Sequence, residues 1–287
     1  MIPVHRLPMR APLLFLLLLA AAGARAAVSV RDDAGNYVTL ARPARRVVSM
    51  SPHATELLFA AGGGAQVLGA MNFSDYPEAA KRLPLIGSDQ QIDIERLLAP
   101  RPDLQVVWQS GNTARQLEQL HGLGIPMFYS EPRRLDDVAD SLMRLGRLLG
   151  SEAVAGAAAA DFRRKIAALT ATYAARAPVR VFYQVWDKPL YTLNGRHIVS
   201  DALRVCGARK VFAALEPTAP SVGVEAVLRE NPEMILGGDC HAAADAGINL
   251  WRPYKSLLAV QRGNLAEVDG DALSRPTPRM AAALRIA

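Results

Sequence analysis

Tyr76, Trp108, Trp186 and Tyr191 are the side chains of this sequence best suited to chemistry, and the chemistry they offer is recognition. Each falls at a predicted strand end or in a loop, where flat rings can wall a cleft and hold a broad planar ligand by stacking. Singly, each ring fits ordinary edge packing equally well. All three tryptophans of this aromatic-poor chain lie in or beside predicted loops and strand ends, however, and together they favour binding. Catalysis has less to stand on. His53, His121, His197 and His241 lack the short spacing of a zinc or iron site, so no metal is expected. His121 and His197 read as surface or helix-capping residues, and His53 as a polar residue in the first turn after Ser51. No Gly-x-Ser-x-Gly elbow and no bracketing pair of carboxylates occurs. Gly62-Gly63-Gly64 ends a helix rather than opening one, which leaves no phosphate-cradling loop and no expected cofactor.

The elements that must place those rings alternate short apolar runs with amphipathic segments, the pattern of an α/β fold with largely parallel sheets. Val47–Met50 reads as a strand, with Ser51 capping a helix whose first turn holds Pro52. Gln66–Ala70, Leu104–Trp108 and Ile125–Tyr129 read as further strands. Asp93–Ala99 and Thr113–Leu123 read as helices, the second capped by Asn112. Leu135–Leu149 is strongly amphipathic, with Leu135, Val138, Leu142, Leu145 and Leu149 on one face. From Ser151 to Ala175 the chain is alanine-rich. Phe162, Ile166, Leu169 and Tyr173 recur there at helical spacing, which favours one long helix over a flexible spacer. Val179–Val185 restarts the strand pattern. The expected architecture is two α/β lobes, each with a central, mostly parallel sheet flanked by helices, joined by a single long α-helix. The expected divisions are residues 1–26, 27–150, 151–177 and 178–287.

The first 26 residues carry Arg6 and Arg10, an apolar run from Ala11 to Ala22, and Ala24-Arg25-Ala26, the layout of a cleavable signal peptide. The alternative, a membrane anchor, needs about 20 apolar residues, more than the run provides. Removing that acid-free segment takes Arg6, Arg10 and Arg25 with it and lowers the formal charge from +6 to +3. So mild a charge gives no reason to expect a nucleic-acid partner. No cysteine precedes Cys206, so the signal offers no acceptor for a lipid anchor. Cys206 and Cys240 would meet an oxidising compartment after export, where they can pair. The two halves also echo one another: Ile94-Glu95-Arg96-Leu97-Leu98 with Pro102-Asp103-Leu104 aligns without a gap on Val224-Glu225-Ala226-Val227-Leu228 with Pro232-Glu233-Met234. A shorter echo pairs Glu56–Gly62 with Asp201–Gly207.

Four ordered motifs carry a resemblance: Ser51-Pro52-His53-Ala54-Thr55-Glu56-Leu57, Ser74-Asp75-Tyr76-Pro77, Trp108 with Gly111-Asn112, and Val205-Cys206-Gly207. In this series, from about Arg46 to Arg279, the chain resembles the periplasmic cobalamin-binding proteins that serve ATP-driven importers. The resemblance implies that a corrinoid such as cobalamin sits between the lobes as transported ligand. It implies contacts from Tyr76 and from Asp271, Ala272, Leu273, Ser274 and Arg275, ahead of Thr277-Pro278-Arg279. It also implies that Glu95 and Glu225, one on each lobe, meet the permease of an ABC importer. These are the two glutamates that the internal repeat superposes. The family's Asp-Trp-Phe-Glu-Arg run reads Asp271-Ala272-Leu273-Ser274-Arg275 here, so one aromatic contact is missing. The family's partner for Cys206 is also missing, which leaves Cys240 for any bridge. The expected role is therefore a soluble periplasmic carrier, monomeric when free, with Trp108, Asn112, Trp186 and Tyr191 completing the site. A haem, siderophore or metal-chelate carrier of the same build, in which Tyr76 or His53 coordinates iron, is the alternative. A secreted corrinoid-processing enzyme is the remaining one.

Overall fold

The computed structural model describes residues 27–88, 90–238 and 247–285. The expected signal segment, His241 and Cys240, and with Cys240 the expected bridge to Cys206, lie outside the described residues. No described helix is long and apolar enough to cross a membrane.

A two-stranded antiparallel hairpin, β1 (Val28–Arg31) and β2 (Tyr37–Leu40), precedes the first lobe. There β3 (Val47–Ser49), α1 (Pro52–Ala60), β4 (Val67–Ala70), α2 (Ile94–Leu98), β5 (Leu104–Trp108), α3 (Ala114–Gly122), β6 (Met127–Ser130) and α4 (Leu135–Leu149) follow in turn. The strands lie in the order β4-β3-β5-β6, every pair parallel. The reason is visible in β5, where Leu104, Val106 and Val107 are all sealed; a strand covered on both faces needs a continuous apolar run. The apolar face of α4 is buried as its spacing requires, and the helix ends at Gly150, whose φ of 69° is the left-handed turn that glycine adopts without strain. The alanine-rich stretch forms α5 (Glu152–Tyr173), 22 residues and roughly 33 Å long at 1.5 Å per residue. Phe162 and Leu169 are buried, while Ile166 and Tyr173 pack against the same core half-buried.

The second lobe comprises β7 (Val179–Gln184), a small hairpin β8 (Trp186–Asp187) and β9 (Leu190–Tyr191), α6 (Ile198–Val205), β10 (Ala208–Lys210), α7 (Val224–Glu230), β11 (Met234–Gly238), α8 (Leu258–Gln261), β12 (Leu265–Val268), α9 (Gly270–Ser274) and α10 (Met280–Ala283). Its sheet runs β10-β7-β11-β12, again all parallel, which is the first lobe's order repeated.

The sequence echo is a structural one. Glu95 and Glu225 both stand in the first turn of the short helix before the third strand. Arg101 and Asn231, seven residues after Ile94 and Val224, both take a left-handed turn, at φ 47° and 44°. Asp103 then accepts hydrogen bonds from the Arg45 and Arg46 backbone amides, and Glu233 accepts one from Arg180 N–H at 3.0 Å, so each acid secures the chain about the start of its lobe's first strand. One expectation is corrected here. Asn112 does not cap α3; Thr113 does, its hydroxyl accepting from Gln116 N–H at 3.2 Å while Gln116 Oε1 accepts from Thr113 N–H at 2.8 Å. A reciprocal box satisfies two end groups where a lone Asn cap satisfies one.

Candidate functional site

In each sheet the first strand has neighbours wound to opposite sides, so the crossover points lie between β3 and β5 and between β7 and β11. The crevice beyond the strand ends at such a point is where open α/β sheets bind ligands. Trp108 is the last residue of β5 and stands 39% exposed there. Its indole lies on Gly111: a β-carbon at that glycine would sit 2.0 Å from the ring, so only glycine admits this close approach. Asn112 Nδ2 donates to the Trp108 carbonyl at 2.6 Å and closes the loop beneath the ring.

Behind Trp108 is His53, edge-on at 5.4 Å and 83°. His53 is a residue of the helix's first turn, as expected, but it is 3% exposed, so the alternative in which it coordinates an iron finds no open imidazole. Its Nδ1 meets Ser51 Oγ at 3.1 Å and its Nε2 meets Ser130 Oγ at 3.2 Å. Burial drives its pKa down to about 4; hydrogen bonding to the Ser130 backbone opposes the shift and the Arg275 charge adds to it. His53 is a neutral buttress for the indole.

A cavity of about 470 Å³ opens between the lobes. Trp108, Ser110 and the Glu131-Pro132-Arg133 turn wall it from the first lobe, and Leu193, Arg196, His197, Ile198, Ser274 and Pro276 from the second. Of the residues nominated from sequence, Trp108 and Ser274 line it. Trp186 and Tyr191 do not; they pair across the β8–β9 hairpin. A larger groove, about 960 Å³, lies against the outer edge of β10, but it has no tryptophan and involves one lobe only. The inter-lobe cavity is the candidate site, because both lobes contribute to it and Trp108, at the first lobe's crossover, is on its wall. The Glu131 and Arg196 turns escaped the sequence reading, although each directly follows a strand or precedes a helix at the crevice end of its lobe.

Ser274 apart, the stretch Asp271–Arg275 has a different part from the one expected. Leu273 is fully buried and Ala272 nearly so, both within the main core, and neither offers a surface to a ligand. Arg275 Nη1 donates to Glu56 Oε1 at 3.1 Å and to Asp75 Oδ1 at 2.8 Å, while Nη2 donates to Asp271 Oδ2 at 2.7 Å. Burial alone would lower the Arg275 pKa, but these carboxylates hold it above its ordinary value. Glu56, itself 3% exposed, also accepts from Thr277 Oγ1 at 2.9 Å and Arg279 Nη1 at 3.0 Å. Arg279 in turn covers the Tyr76 ring at 4.3 Å, leaving Tyr76 46% exposed but off the cavity wall.

Glu95 and Glu225 are exposed, as docking would require. Cys206 is half-buried; its thiol donates to the Leu284 carbonyl at 3.6 Å, and burial pushes its pKa up to about 11. Among the described residues, no three His, Cys, Asp or Glu side chains are grouped to hold a metal ion.

Two similar α/β lobes joined by one long helix over an inter-lobe cavity define a ligand-capturing binding protein. The chain belongs to the periplasmic binding protein family, whose profile matches residues 47–272. It is 37% identical over 238 residues to a vitamin B12-binding protein of Vibrio cholerae serotype O1, a match covering 83% of this chain and 85% of that one. Its fold is similar to the crystal structure of the periplasmic vitamin B12 binding protein BtuF of Vibrio cholerae, with a TM-score of 0.78 and 37% identity, covering 85% of this chain and 95% of that one. A periplasmic heme binding protein from Pseudomonas aeruginosa is also similar, at TM-score 0.72 and 25% identity over 84% of this chain and 90% of that one.

Proposed function

We propose that the chain captures cobalamin or a related corrinoid in its inter-lobe cleft and hands it to the permease of an inner-membrane ABC importer. It acts as a soluble periplasmic monomer and changes no bond in its cargo. The observation that carries this reading is Trp108: a half-exposed indole at a strand end, seated on Gly111, braced by His53 and facing a two-lobed cavity. A rigid ring held in place gives stacking area to a broad flat molecule with little ordering cost. Vitamin B12-binding relatives at 37% identity support the corrinoid assignment. The haem alternative asks for Tyr76 or His53 as iron ligand; both nitrogens of His53 are engaged by serine hydroxyls, and Tyr76 lies under Arg279 and off the cavity wall. The enzyme alternative asks for an activated nucleophile, and the Cys206 thiol is held protonated by burial. Calorimetric titration of the purified protein with cyanocobalamin is expected to saturate at one molecule per chain, and titration with hemin to bind far more weakly. Stronger binding of hemin, or no heat with cyanocobalamin, would reverse the assignment.

A further inference from the structure

The cation that the resemblance nominates for the ligand, Arg275, is spent on Glu56, Asp75 and Asp271. The cavity has cations of its own. Arg133 stands on the first-lobe wall just past β6, and Arg196 on the second-lobe wall just before α6. His197 lies beside Arg196 on the same wall. Its Nδ1 accepts from Val199 N–H at 3.2 Å, a bond that fixes the proton on Nε2 and makes that nitrogen a donor. Burial, with the nearby Lys210 charge, lowers its pKa to about 4 and keeps the ring neutral.

Carboxylates near these donors are engaged. Glu131, on the cavity wall, accepts from both Ser110 N–H and Ser110 Oγ at 2.8 Å. Asp137 accepts from the backbone amides of Arg133 and Arg134 at 2.9 Å. Arg196 Nη2 donates to the Glu216 backbone carbonyl, which positions the guanidinium without neutralising it, and the Glu216 carboxylate meets Nη1 only at 3.5 Å with its side chain 89% exposed, a long and solvent-screened contact. An anion entering a cavity walled by Trp108, Pro132, Leu193 and Pro276 loses water and is attracted more strongly than that surface carboxylate.

We propose that Arg133 and Arg196, from opposite lobes, together with His197 Nε2–H, form an anion subsite that holds the phosphodiester of a complete corrinoid. This rests on the corrinoid reading above and deepens it. A corrinoid carries neutral amides around its ring and one permanent negative charge, on the nucleotide arm, so two cations outside the stacking surface select for that arm. Charge-assisted bonds to phosphate are the strong ones. Because one arginine comes from each lobe, the bound phosphodiester also bridges the cleft.

The test compares cyanocobalamin with dicyanocobinamide, which keeps the ring and lacks the phosphodiester. In calorimetry, the double variant Arg133→Gln, Arg196→Gln is expected to weaken cyanocobalamin by about tenfold or more and dicyanocobinamide by less than about twofold. Its cyanocobalamin affinity is also expected to depend less on salt. Both arginines are exposed, and an unchanged melting curve shows that the fold is intact. Equal losses for the two ligands, or undiminished cyanocobalamin binding, would overturn the subsite while leaving the corrinoid reading in place. Failure of the unaltered protein to bind either ligand would overturn both.

Discussion

His53 and His197 are both held neutral by burial, each with its pKa lowered from 6.5 to about 4. The depressed value belongs to the folded chain, so on acidification the unfolded chain takes up protons first. The stability present above pH 6.5 drains as the pH falls toward about 4, with a slope approaching one proton per histidine. The thermal midpoint is therefore expected to decline between pH 7 and pH 4. His53→Gln isolates one share of that decline, because an amide can still bridge Ser51 and Ser130 but cannot titrate. Its midpoint is expected to fall less steeply over the same window, and a slope identical to that of the unaltered protein would show that His53 does not contribute. The residue also explains why its neighbour is so well placed: with both ring nitrogens satisfied, the imidazole edge has one remaining task, which is to support the indole of Trp108.

At the scale of elements, α2 and α7 repeat one design: an exposed glutamate in the first turn, a fully buried residue two positions later (Leu97 and Val227), a left-handed turn, and an acid that fastens the backbone near the first strand. Two like charges at equivalent places on two similar lobes suit docking onto a two-subunit permease, where rim charges set orientation more than affinity. Glu95→Lys with Glu225→Lys is expected to cut corrinoid uptake by cells about tenfold or more while calorimetry finds ligand affinity within about twofold. Normal uptake by the double variant would remove the docking role. This repeat was legible in the sequence because its positions are close together and fixed by turn chemistry. The bounds of α4 and β5 were legible because burial dictates apolar period and continuity. The hairpin β8–β9 was not, since two-residue strands are too short to show a period. Thr113 was missed as a cap although Gln116, three residues on, signals the box. Glu56 and its arginines could not be joined from sequence at all, as their partners lie more than 200 residues away.

At the scale of the molecule, the lobes are clasped twice, and in the same way. Glu56, on the first helix of the first lobe, holds the segment after β12; Asp201, on the first helix of the second lobe, accepts from Leu135 N–H at 2.9 Å, in the segment after β6. Each lobe thus grips the chain leaving the other's last strand. Beneath the clasps one hydrophobic core runs without a break from Val47 and Leu57 through Phe162 of α5 to Leu203, Leu236 and Met280. A shared core packed this way resists hinge motion, since separating the lobes would expose it to water. Scattering curves of the empty and corrinoid-loaded protein are therefore expected to superimpose, and a large rigid-body closure on loading would contradict the design. Glu56→Gln tests the clasp itself. It keeps the shape and one acceptor but removes the buried counter-charge of Arg279, which keeps only the half-exposed Asp269 at 3.4 Å, and part of that of Arg275, and bonds to charged groups contribute roughly 1.5–3 kcal/mol each. Because Asp75 and Asp271 still hold Arg275, the expected loss of stability is about 2–3 kcal/mol rather than the ~3–5 kcal/mol of a fully broken buried pair. Denaturant titration reads that loss. Hydrogen exchange is expected to rise in Thr277–Leu284 and in α1 together, because one carboxylate ties them; a rise in only one of the two would mean that Glu56 stabilises its own helix and does not join the lobes.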